Sequence, residues 1–358
     1  MMQIQEIREL AMDTGVFFPL AFQADDLGTA AELHGHTLPN RSVLMMQEGR
    51  DGDASGAPTA KTIERYTAAV RDRSCSIVWL EPAAVSPESR KHENGLALTE
   101  QTQAAFADLI AAIRAAAREA HGTEPLIVAL LDHAGHHALY PVSMEHSPSL
   151  PTDARILTDD ELTALVVQCA NAAKFAAKAG ADGIALNAAD RSLFGESLAA
   201  FHRDGKFGGD FDDRTRFVRD CYTAMKMLTP DSVFYTIRLT LSDGIPQPDG
   251  WGMAFEDTAA PDLYEPGLLL KIMRALYGVE LVLCTIGVPD INWLCEPEKE
   301  SDLIRLSRLC TCIAMLDSDL QQNVQLIVPE IPSEEIPFAN LASGMIAGEF
   351  ASFGGFLG

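Results

Sequence analysis

The stretch AKAGADGIALNAADRSLFGESLAAFHRDGKFGGDFDDRTRF, Ala177 to Phe217, decides the fold. It opens as the end of a helix, which Gly180 stops. Asp182-Gly183 turns the chain, and Ile184-Ala185-Leu186 reads as a short buried strand. The strand ends in Asn187, Ala188, Ala189 and Asp190, all small or polar. A long loop with Gly205, Gly208 and Gly209 follows, and a charged helix starts near Asp212. Helix, glycine, strand, polar strand end, loop, helix is the repeating unit of a parallel α/β barrel. In such a barrel the carboxyl ends of the strands face the active site, which singles out Asn187 and Asp190.

The same alternation runs outward in both directions. Strands are expected at 42–46, 76–81, 126–131, 183–186, 233–239, 278–285, 324–328 and 350–354. Helices are expected at Lys61–Asp72, from the cap Thr99 to Ala120, from the Thr158 capping box to Lys178, at Asp212–Met227, Leu263–Leu276 and Lys299–Leu316, and at Phe338–Ala347. Eight strands with seven helical segments predict a (β/α)₈ TIM barrel without its last helix. Residues 1–37 read as a lead-in and 38–358 as one barrel domain.

Composition agrees with a large soluble core. Apolar residues make up 47% and charged residues 22% of the 358 positions. The formal charge of −24 argues against nucleic acid and anionic membranes, both of which attract basic surfaces. The seven cysteines are scattered and form no CxxC, which reads as reduced thiols in a cytoplasmic protein. The first residues lack the basic start and apolar run of a signal peptide. No apolar run approaches the ~18–20 residues that a membrane helix needs.

Arg238 is the most informative single charge, because it sits near the end of the apolar run Phe234–Leu239. A buried arginine is costly unless paired. At the open end of a barrel its partner is either a bound anion or electron-rich ring, or an internal carboxylate such as Asp190 or Glu81. The histidines of His133-Ala134-Gly135-His136-His137 lack helical i,i+4 spacing, so no metal site is expected there.

The chain resembles the old-yellow-enzyme-like NADH:flavin oxidoreductases. The flanks carry the resemblance: Ala179-Gly180-Ala181-Asp182-Gly183-Ile184, Phe207-Gly208-Gly209-Asp210 and Arg214-Thr215-Arg216-Phe217. Leu38-Pro39-Asn40-Arg41, Gln47-Glu48-Gly49-Arg50-Asp51-Gly52 and Asp132-His133-Ala134-Gly135 extend it. The resemblance implies FMN as cofactor and NADH or NADPH as reductant. It places Glu48, Gly49 and His133 as flavin contacts, Arg238 at the flavin's pyrimidine edge, and Gly354 and Gly355 near its phosphate. The centre departs from the family. Asn187 and Asp190 stand for its substrate-binding His-x-x-His/Asn pair, Ser192 for its proton-donating Tyr, Leu130 for a flavin-bonding Gln, and His136 for an Arg. Pro329-Glu330-Ile331-Pro332-Ser333 stands where a glycine turn would meet the phosphate, and two prolines there remove N–H donors.

Two functions follow. The first is an FMN-dependent NAD(P)H oxidoreductase passing hydride to an activated alkene or related small acceptor. Asn187 and Asp190 would bind that acceptor, and Asp190, or a water it holds, would supply the proton. The second is a barrel that kept the fold and lost FMN, acting as a small-molecule binder, a non-redox enzyme or a partner subunit. A hydrolase pairing Asp190 with His133 is a third idea. The expected partner is a small-molecule substrate, with homo-oligomer formation left open.

Overall fold

The computed structural model describes residues 28–148, 154–255, 260–288, 302–328 and 353–357. Eight strands form the barrel wall: β1 (Ser42–Met45), β2 (Ile77–Trp79), β3 (Leu126–Asp132), β4 (Gly183–Ala188), β5 (Phe234–Ser242), β6 (Leu281–Ile286), β7 (Gln325–Val328) and β8 (Phe353–Leu357). Each pairs with its neighbours in chain order, and β8 returns to β1, so the sheet closes. The helices between them are α1 (Ala60–Asp72), α2 (Gln103–His121), α3 (Asp159–Ala179), α4 (Leu193–Leu198), α5 (Phe211–Leu228), α6 (Tyr264–Tyr277), α7 (Asp302–Met315) and α8 (Ser318–Asn323). The expected barrel is therefore present, with strand bounds moved by at most three residues.

The eighth strand differs from expectation in direction as well as place. It was expected at 350–354 and parallel to the rest. It lies at Phe353–Leu357 and runs antiparallel to both β7 and β1, with Ile327 opposite Phe356 and Val43 opposite Gly354. An antiparallel strand needs no crossover helix to carry the chain back to the other end of the barrel. Most of the lead-in, the expected helix at Phe338–Ala347 and the turn Pro329–Ser333 lie outside the described residues.

Local chemistry explains the elements around the site. Thr158 and Glu161 form a reciprocal capping box at the start of α3. Gly180 ends that helix at φ +99°, a conformation that favours glycine. Every residue of β4 is buried, as expected of a parallel strand covered on both faces. Val43, Ile77, Trp79, Val128, Leu130 and Leu283 belong to one apolar cluster that fills the barrel interior. A hairpin of Ala31–Leu33 with His36–Leu38 adds Leu33 and Leu38 to the same cluster. The side chains between wall and helices form a second, larger core. Among the described residues no helix is long and apolar enough to cross a membrane.

Candidate active site

The register of β3, β4 and β5 builds the site. Asn187 pairs with Arg238 across β4 and β5, and Leu186 with Leu131 across β4 and β3. Strand alternation turns Val128, Leu130 and Asp132 to the same face of β3. Asp132, Asn187 and Arg238 thus meet at the carboxyl ends of three adjacent strands.

They are joined by hydrogen bonds. Asn187 Nδ2 donates to Asp132 Oδ1 at 2.9 Å, and Arg238 Nη1 donates to Asn187 Oδ1 at 3.2 Å. Arg238 Nη2 reaches Asp190 Oδ2 at 2.5 Å. The internal partner of Arg238 is therefore Asp190, one of the two carboxylates that the sequence offered. The other, Glu81, is buried and bound to Arg65 instead. The Arg238 and Asp190 side chains remain 22% and 30% exposed, so this pair stays in reach of solvent and ligand.

Asp132 is the residue that sequence reasoning passed over. Its side chain is buried, and burial pushes its carboxyl up to about 6, against the opposing hydrogen bond from Asn187. The negative charge of Glu48 pushes the same way, and Arg238 pulls it down. Glu48 is itself half-buried at the same end of the barrel, with its carboxyl raised by burial and lowered by Lys91 and Arg50. The signal was available: an acid closing the apolar run Leu126–Leu131 is as anomalous as an arginine in one.

The other expected contacts separate from this group. Gly49 donates its N–H to Glu81 Oε2 at 2.7 Å, so that donor is already engaged. A Cβ at Gly49 would stand 2.1 Å from Arg65 Nη2, which accounts for glycine by close approach. Arg65 in turn bonds Asp51 at 2.9 Å. His133 is buried beyond the end of β3, and its Nδ1 accepts the Gly135 N–H at 3.1 Å. Burial holds its pKa down at about 4, so it is a neutral brace for the loop after β3. It makes no hydrogen bond to Asp190, the partner a hydrolytic pair would need. Gly354 and Gly355 lie inside β8, laddered between β1 and β7, and not in a turn that presents N–H groups to an anion.

Two further clusters fix the rim. Glu196 of α4 accepts from His136 Nδ1 at 2.5 Å, Ser143 Oγ at 2.6 Å and Met144 N at 3.0 Å, tying α4 to two loops. Ser192 caps α4, and its hydroxyl donates to the Asn187 carbonyl, which fixes the backbone of the site residue. Arg191 Nη2 bonds Asp243 Oδ2 at 2.6 Å, and both side chains are buried. Asp190 and Arg191 hold φ of +54° and +52°, an uncommon backbone for non-glycine residues. That double left-handed step aims Asp190 at Arg238 and Arg191 at Asp243 on the loop after β5.

No family model matches the chain. Over 222 residues it is 30% identical to the NADPH dehydrogenase of Bacillus pumilus, covering 59% of this chain and 62% of that protein. Over 235 residues it is 28% identical to an NADH-dependent flavin oxidoreductase of Aspergillus parasiticus, covering 57% and 51%. The chain thus spans only about half to three-fifths of the length of these curated relatives. Its fold matches an old yellow enzyme homologue from Zymomonas mobilis with a TM-score of 0.63 at 19% identity, covering 87% of this chain and 83% of that one. It matches morphinone reductase with a TM-score of 0.58 at 21% identity, covering 78% of each. A shared barrel and relatives of one kind make the chain similar to the old-yellow-enzyme-like NADH:flavin oxidoreductases, around a centre that departs from theirs.

Proposed function

We propose that the chain is an FMN-dependent NAD(P)H oxidoreductase that reduces an activated alkene or a related small acceptor. The observation that carries this reading is Arg238, a half-buried guanidinium held by Asn187 and Asp190 at the end of an otherwise apolar strand.

The residues around Arg238 suit the ring of FMN. Leu130, Trp79 and Leu283 give an apolar floor below a polar rim. The indole Nε1 of Trp79, the last residue of β2, is buried with no hydrogen-bond partner. An orphaned donor at this level fits a site whose polar groups are completed by a ligand. Leu130 supplies no hydrogen bond to the ring, a loss of roughly 1 kcal/mol. The glycine-rich phosphate turn expected of the family has no counterpart in β8.

When bound, FMN supplies hydride that originates in NADH or NADPH. Arg238 would set a guanidinium charge against negative charge at the ring edge. Asn187 spends one amide hydrogen on Asp132 and keeps the other for an acceptor oxygen. Asp190 sets the direction of Arg238. A barrel without flavin is the competing reading, and the existing Arg238–Asp190 pair favours it because the cation already has a partner.

Purification separates the two. The oxidoreductase reading expects yellow protein whose released chromophore is FMN and which consumes NADH or NADPH with an activated alkene. Colourless protein that FMN fails to stabilise against heat would overturn it.

A further inference from the structure

Reduction of a carbon–carbon double bond needs a proton as well as a hydride, and the groups at the barrel mouth are unequal to that task. Ser192 has given its hydroxyl hydrogen to the Asn187 carbonyl. Asp190 is already engaged by the Arg238 guanidinium. Asp132 is buried at the mouth with a single side-chain donor, Asn187, whose second amide hydrogen has no partner among the described residues. We propose, on the oxidoreductase reading, that Asp132 is the catalytic acid that delivers the proton to the acceptor.

The step balances as follows. Hydride derived from NAD(P)H adds to the carbon remote from the acceptor's activating group. The π pair of the double bond moves to the adjacent carbon. The O–H bond of Asp132 breaks, and its proton forms the new C–H bond there. The carboxylate left behind keeps the Asn187 hydrogen bond and the nearby Arg238 charge, and regains a proton from solvent. Asn187 links the two ends of this arrangement, since the same amide that would hold the acceptor touches the acid. The charged groups that bear on Asp132 are Glu48 beyond β1 and Arg238 of β5, the latter tied to Asp190. An acid titrating near 6 is well matched to proton transfer close to neutral pH.

Two measurements test the proposal. Infrared difference spectra of the purified protein should show a protonated carboxyl that titrates near pH 6, absent from D132N. In stopped-flow reoxidation by an alkene acceptor, the wild-type rate should fall as pH rises through that value. D132N should be at least tenfold slower and flat with pH, and D132E should restore part of the rate together with the pH step. A D132N protein that keeps the wild-type rate and profile overturns the proposal, as does a step removed by E48Q instead. Protein that binds no FMN removes the oxidoreductase reading and this proposal together; a flavoprotein with an unaffected D132N removes the proposal alone.

Discussion

Consecutive residues, Asp190 and Arg191, enter two ion pairs of opposite character. Asp190 meets Arg238 at the barrel mouth, with both side chains partly open. Arg191 meets Asp243 under the loop after β5, where the side chains are 5% and 3% exposed. Asp243 also accepts the N–H groups of Ile245 at 2.9 Å and Trp251 at 2.8 Å, so three donors converge on one buried carboxylate. The sealed pair is shut away from solvent and holds the rim together. The open pair can rearrange, because water or a bound ring can replace one of its partners at modest cost. Exposure, not sequence position, decides which charges are architecture and which are available for chemistry.

Substitutions can break or sharpen that contrast. The largest effect is expected from Asp243→Ala, which removes the carboxylate partner of the buried Arg191 and of the Ile245 and Trp251 N–H groups; urea unfolding should show a loss of about 3–5 kcal/mol. A second effect is pH-dependent. The Asp132 carboxyl is raised in the folded protein from 3.8 to about 6, so the native state holds that proton more tightly than the unfolded chain. Its stabilising contribution is complete below pH 3.8 and is lost as pH rises through about 6. At ~1.4 kcal/mol per pKa unit this amounts to about 3 kcal/mol, and thermal melts of Asp132→Asn across that window should lack it.

Smaller losses are expected nearer the surface. Gly49→Ala forces the Arg65 guanidinium off its carboxylates and should cost about 1–2 kcal/mol in chemical denaturation. Asp190→Ala removes the partly exposed partner of Arg238 and should cost about 1 kcal/mol or less, by the same measurement. A loss at Asp190 matching that at Asp243 would erase the distinction between the pairs.

Much of the barrel was legible because its signals are local. Caps such as Thr158 and stops such as Gly180 mark helix ends whatever the surroundings. Apolar runs bounded by such marks read as buried strands. Strand direction is not local: the two-residue period of a strand is the same in either sense, and β8 was misread for that reason. In the site, Arg238 and Asn187 stood out as polar residues at the ends of apolar strands, and they do touch. Asp132 gave the same signal and was overshadowed by the neighbouring His133. The roles of Glu196 and Asp243 could not be read at all, because the side chains of His136, Ser143 and Arg191 that meet them lie 52 to 60 residues away and only the folded chain brings them together.

The central claim is that Arg238 makes the barrel mouth a seat for a flavin ring. Calorimetric titration of FMN into flavin-stripped protein tests it most directly, with wild type and Arg238→Ala compared at one ionic strength. The account predicts saturable one-to-one binding by the wild type and at least tenfold weaker binding by the variant. Equal affinities, or no heat from either protein while both remain folded, would contradict it.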